Sequence, residues 1–130
     1  MGYGCNDRNS NETIREGIDL HKLDIKPLSV NRANTVIKGQ IRKTREFKKY
    51  VSDIHLLLPK IVVPEGKLKL SITFGFSSNM SDIDNPVKPF QDCLQKKYGF
   101  NDRDIYKLHL KKELVKKGHE FIKFDIVGIP

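Results

Sequence analysis

KLKLSITFGFSSNMSDIDNPVKPFQDCLQKKYGFNDRD, residues 67–104, reads as a strand, an acidic turn and a helix in one unbroken run. Leu68, Leu70, Ile72, Phe74 and Phe76 alternate with smaller or polar residues, the period-2 pattern of a strand with one face in a core. Pro86 suits the first helical position, where its missing N–H costs nothing, and Asn85 suits the cap before it. Val87, Phe90, Leu94 and Tyr98 then recur at helical spacing and predict a buried stripe. Gly99 is placed to stop that helix, with Phe100 packing back. The run also holds five aspartates, although the whole chain carries a formal net charge of +8.

Before this run, "HKLDIKPLSV" (21–30) predicts a short strand whose Pro27 suits a sheet edge. "NRANTVIKGQIRK" (31–43) reads as a long basic loop. From Thr44, the residues Phe47, Tyr50, Val51, Ile54 and Leu58 recur at helical spacing until Pro59 ends the run. "IYKLHLKKELVKK" and "HEFIKFDIVGI" predict a hairpin turning near Gly118. The order is strand, helix, strand, helix, then two antiparallel strands. The economical assembly is an α+β single domain, a small mixed or antiparallel sheet with two main helices packed on it. Residues 1–19, rich in Asn, Gly and Ser, read as a flexible polar tail before a domain over residues 20–130.

The composition, 38% hydrophobic and 31% charged over 130 residues, is that of a globular chain. No run approaches the roughly 20 apolar residues of a membrane span, and the N-terminal stretch lacks the apolar core of a signal peptide. Cys5 and Cys93 form neither a disulfide framework nor a zinc site, so a reducing cytoplasm is expected. Walker loops, nucleophile elbows and dinucleotide fingerprints are missing, and no small-molecule cofactor is expected.

Asp82 and Asp84 have strand spacing, which predicts that both carboxylates point one way while Ile83 faces the core. They precede the positive end of a helix dipole, and Asp102 returns beyond that helix. Three converging carboxylates repel one another, and a hard divalent cation, Mg²⁺ or Mn²⁺, removes that conflict and supports phosphodiester hydrolysis. The same spacing equally suits a helix cap at Asp84, turn chemistry at Asp82 and a solvated carboxylate at Asp102. Lys88, in the first helical turn, either offsets phosphate charge or pairs with Asp92 one turn on. A helix from Pro86 to Lys97 spans about 18 Å, so Asp102 meets the pair only by folding back along it or by coming from a partner subunit.

Between Arg32 and Lys60 lie eight Lys or Arg against two acids. Arg32, Lys38, Arg42, Lys43 and Arg45 suit contact with a phosphate backbone, with no base-reading motif among them. The alternative to an enzyme is a non-catalytic nucleic-acid-binding module, whose binding would survive loss of the aspartates. A further alternative is a basic face for an acidic protein, with no preference for branched DNA.

With D-x-D-N at Asp82–Asn85, a lysine four residues after the second Asp, an apolar helix and an acidic turn, "SDIDNPVKPFQDCLQKKYGFND" resembles the core motif of the RusA family of Holliday junction resolvases. "PLSVNRAN" (27–34) is similar to that family's N-terminal Pro/Ser-Asn-Arg stretch. The resemblance covers roughly Leu20 to Ile126. It implies a RusA-like α+β homodimer of bacterial or phage-infected cells that cuts four-way DNA junctions with Mg²⁺. Asp82, Asp84 and Asp102 would be the catalytic metal ligands, Lys88 the catalytic lysine, and Asn31 and Asn85 would join the DNA contacts. Where the family often has two consecutive acids in the last turn, this chain has Asn101-Asp102, leaving Asp102 as the ligand.

Overall fold

The computed structural model describes residues 20–130. The polar tail expected over residues 1–19, with Cys5, lies outside the described residues. In chain order the elements are β1 (His21–Leu23), α1 (Val30–Ala33), β2 (Asn34–Ile37), β3 (Gln40–Lys43) and α2 (Arg45–Leu57). They continue with β4 (Leu68–Phe76), α3 (Val87–Tyr98), a 3-10 turn (Asp102–Asp104), β5 (Ile105–Leu114) and β6 (Phe121–Gly128). The main sheet has the order β1-β6-β4-β5, with β4 and β5 parallel and the other pairs antiparallel. The fold is α+β, and none of the described helices is long and apolar enough to cross a membrane.

The strand with the strongest alternation, β4, takes the centre. Leu68, Leu70, Ile72, Phe74 and Phe76 are all buried, and both of its edges are hydrogen-bonded to neighbours. β5 carries Lys107, His109 and Lys111, whose solvation favours the outer position. The expected hairpin of the two C-terminal strands therefore does not form, because β5 and β6 flank β4 on opposite sides. The chain leaves β5 past the end of β4, where the Val115 N–H donates to the Phe76 carbonyl (2.8 Å). It turns at Gly118 (φ 92°) and crosses to β6. The strand needing most burial is paired on both sides, and the charged one is left at the rim.

α2 follows its pattern. The Thr44 hydroxyl accepts from the Phe47 N–H at 3.0 Å, and Phe47, Tyr50, Ile54 and Leu58 are buried. α3 begins one residue later than expected: Pro86 holds the cap position, and Asn85 makes no cap hydrogen bond. At its other end Gly99 adopts the left-handed conformation (φ 77°) and its N–H donates to the Gln95 carbonyl at 2.8 Å. Phe90, fully buried on α3, meets Phe124 and Phe74 edge-on, with centroids 5.6 and 6.4 Å apart.

The segment 31–43 is not a loop. It contains α1 and an antiparallel ribbon in which Asn34–Ile37 pairs with Gln40–Lys43. Lys38 (φ 51°) and Gly39 (φ 77°) make a two-residue turn with both φ positive, the geometry that matches strand twist in a tight hairpin. Pro27 lies beyond β1 rather than within it.

Candidate functional site at the carboxyl end of the central strand

The segment carrying Asp82 and Asp84 joins the carboxyl end of β4 to the start of α3. It is held from below by β5: the Lys112 ammonium donates to the carbonyls of Asn79 (3.1 Å) and Ser81. The Lys112 ammonium also sits 5.8 Å from the centre of the Phe76 ring. The amide of Asn85 donates to the Asp82 carboxylate at 3.2 Å, so the asparagine orients the acid instead of capping the helix. The segment is irregular, so strand alternation does not apply. Ile83, expected to face the core, is 37% exposed.

The N-terminal stretch docks onto this loop. The Val30 N–H donates to the Asn85 carbonyl at 2.9 Å, and the Ser29 hydroxyl accepts from the Asn31 N–H at 3.1 Å, which starts α1. Asp82 and Asn85 thus share a cleft of about 430 Å³ with Ser29, Arg32, Lys49 and Tyr50. Arg32 reaches Glu46 at 3.5 Å and Lys49 pairs with Asp53 at 2.8 Å along its rim. The Tyr50 hydroxyl is buried with no hydrogen-bond partner among the described residues, and burial pushes its pKa well above the usual tyrosine value.

Lys88 projects from the first turn of α3 and bridges two carboxylates, Asp92 at 3.0 Å and Asp102 at 3.5 Å. The hydrogen bond to Asp92 acts most strongly, and Asp102 adds in the same sense. Together they raise the lysine pKa against a smaller opposing effect of burial. The chain after Gly99 therefore folds back along the helix, and Asp102 meets Lys88 of its own chain. The pairing with Asp92 is also present, as i,i+4 spacing allows.

Of the sequence-predicted residues, Asp82, Asn85 and Arg32 come together in the cleft, with Asn31 two residues from Ser29. Lys38, Arg42, Lys43 and Arg45 are not among its lining residues. They lie along the ribbon and at the start of α2. The carboxylates suit a hard cation in kind. Their placement does not gather them, since among the described residues no three His, Cys, Asp or Glu side chains are grouped to hold a metal ion. Asp102 instead has an ammonium beside it. Nothing in the sequence assigns Lys112, Ser29, Lys49 or Tyr50 to the site, and Tyr50 reads there as part of a buried helical stripe. Only the i,i+4 pair Lys49–Asp53 left a local signal.

No protein-family model matches the chain, and no curated protein matches its sequence.

Proposed function

We propose that the chain is a metal-dependent, structure-selective endonuclease for branched DNA, a RusA-like resolvase that acts as a homodimer on four-way junctions. The observation that carries this reading is the meeting of two distant segments, Ser29 and Arg32 against Asp82 and Asn85 in one cleft that Asp84 does not line, through the Val30–Asn85 backbone hydrogen bond. In this reading Asp82 and Asp84 are the carboxylates offered to Mg²⁺ (or Mn²⁺), and Asn85 holds Asp82 in orientation. Such a cation, when bound, would supply the positive charge that a scissile phosphodiester needs. Arg32 grips the phosphate backbone at the rim, and Lys88 keeps Asp102 near the helix start. A homodimer matches the approximate two-fold symmetry of a four-way junction.

The second reading, a non-catalytic nucleic-acid-binding module, is favoured by the Lys88–Asp102 contact and the ungathered carboxylates. Cleavage of a labelled four-way junction, with matched linear duplex as control, separates the two. Wild type and Asp82→Asn are each run with and without Mg²⁺. Paired nicks that need both Mg²⁺ and Asp82 and spare the duplex are expected. Tight junction binding with no cutting, unchanged by the substitution, would establish the binding module instead.

A further inference from the structure

The β2–β3 ribbon has apolar side chains on both faces and, among the described residues, a cover on neither. Val36 and Ile41 are directly opposite in register, on one face, at 67% and 75% exposure. Ile37, on the other face, is 53% exposed. A two-stranded ribbon gains little stability alone, and folding gives no reason to expose three β-branched apolar residues within six positions.

Charge limits what can cover it. From Asn34 to Arg45 there are four cations, Lys38, Arg42, Lys43 and Arg45, and no acid. Among the described residues none of the four is paired with a carboxylate. Arg42 donates to the neutral Gln40 amide at 2.8 Å, and the Lys43 ammonium lies 4.8 Å from the centre of the Phe47 ring. An apolar tip flanked only by cations complements a polyanion that also offers apolar surface. Nucleic acid offers that surface where base stacking is interrupted, because every base has an apolar face and every nucleotide a phosphate.

The base of the ribbon is fixed. The Thr44 N–H donates to the Ala33 carbonyl at 3.0 Å, and the Thr44 hydroxyl donates to the Arg32 carbonyl at 2.7 Å. These bonds tie the ribbon to the segment docked on Asn85. Four-residue strands carry the tip about 13 Å from that anchor.

We propose that the ribbon is a wedge for interrupted base stacking: Val36, Ile37 and Ile41 contact unstacked bases at a branch point while Lys38 and Arg42 hold the flanking phosphates. This rests on nucleic acid being the partner, as in the proposed function, and does not require cleavage. The wedge would confer preference for branched over continuous duplex, leaving the cleft at Asp82 to act on the strand it presents.

The test uses the full chain and a four-way junction with 2-aminopurine at the branch point, in Ca²⁺. Wild type is compared with Val36→Thr/Ile37→Thr/Ile41→Thr, which keeps β-branching and hence the ribbon; circular dichroism checks its fold. Wild type is expected to raise 2-aminopurine fluorescence and to prefer junction over duplex. The variant is expected to lose most of the fluorescence rise and about tenfold in junction affinity, with duplex affinity within about twofold of wild type. An unchanged fluorescence rise and preference in the variant would overturn the wedge, even if wild type cuts junctions in Mg²⁺. Loss of both signals in the variant, with no cutting by wild type in any metal, would keep the wedge and sink the endonuclease. A shift from dimer to monomer in the variant, or binding to anionic vesicles without DNA binding, would assign the apolar tip to another partner and overturn the proposal.

Discussion

Strands β4 and β2–β3 are built from similar residues and meet opposite fates. Leu70, Ile72 and Phe74 lie under the helices with essentially no exposure, whereas Val36 and Ile41 stand in solvent. β-branched and apolar residues favour extended backbone in both places. The difference is cover: β4 is paired on both edges and packed under α2 and α3, while among the described residues the ribbon is attached only through its base. Stability should therefore be concentrated in the β4–α3 unit, leaving the ribbon's side chains free to serve a partner.

The largest test of that contrast is Phe90→Ala. Removing a ring that touches both Phe74 and Phe124 is expected to cost about 3–5 kcal/mol, read from the urea midpoint. Gly75→Ala comes next. It lies opposite Phe121 in register, and an added Cβ would overlap that ring. A loss of about 1–3 kcal/mol is expected, and a neutral result would show that the outer face of the sheet yields easily. Thr44→Ala removes both the α2 cap and the bond to Arg32, at the junction of the two regions. It is expected to cost about 1–2 kcal/mol and to weaken DNA binding through the ribbon without altering the β4–α3 core.

A smaller effect appears with pH. Burial first, and then the charge of Asp92, push the Cys93 thiol up to about 12, and burial pushes the Tyr98 hydroxyl up to about 12. For an acid whose folded pKa is raised, the unfolded state ionises first. Stability is then lost as pH rises above the unfolded value, about 8.5 for a thiol, with a thiol contribution below about 1 kcal/mol at pH 9. The melting temperature should fall between pH 8 and 10.5, with a shallower slope in Cys93→Ala. An unaltered slope would show that the thiol does not titrate differently on folding. The smallest effect is expected at the ribbon itself: Ile41→Thr should change stability by less than about 0.5 kcal/mol. A loss above 2 kcal/mol would mean that Ile41 is structural, and the contrast between the regions would fail.

Helices α2 and α3, strand β4 and the Gly99 stop were legible in the sequence because each depends on neighbours within a few residues. Side-chain period, caps and the left-handed glycine are local properties. The ribbon was not legible, since four-residue strands rich in polar side chains and a Lys-Gly turn leave a weak signal. Nor was the sheet order: adjacency of strand patterns suggested a hairpin, but pairing is settled by which strand gains most from burial on both sides. The pairing of Asp92 with Lys88 could be read from its i,i+4 spacing, yet the partners of Asp82 and Asp102 could not. Asn85 turns to Asp82, Lys88 to Asp102, and Lys112, from a different strand, holds the loop between. By itself the sequence determined the local elements, the acidic turn and the basic segment before α2. The tertiary structure alone decided that Val30 meets Asn85, that β4 separates β5 from β6, and that the ribbon stands uncovered by the other described residues. Such contacts form between residues far apart in the chain, where the balance of burial and solvation over the whole molecule chooses among local patterns.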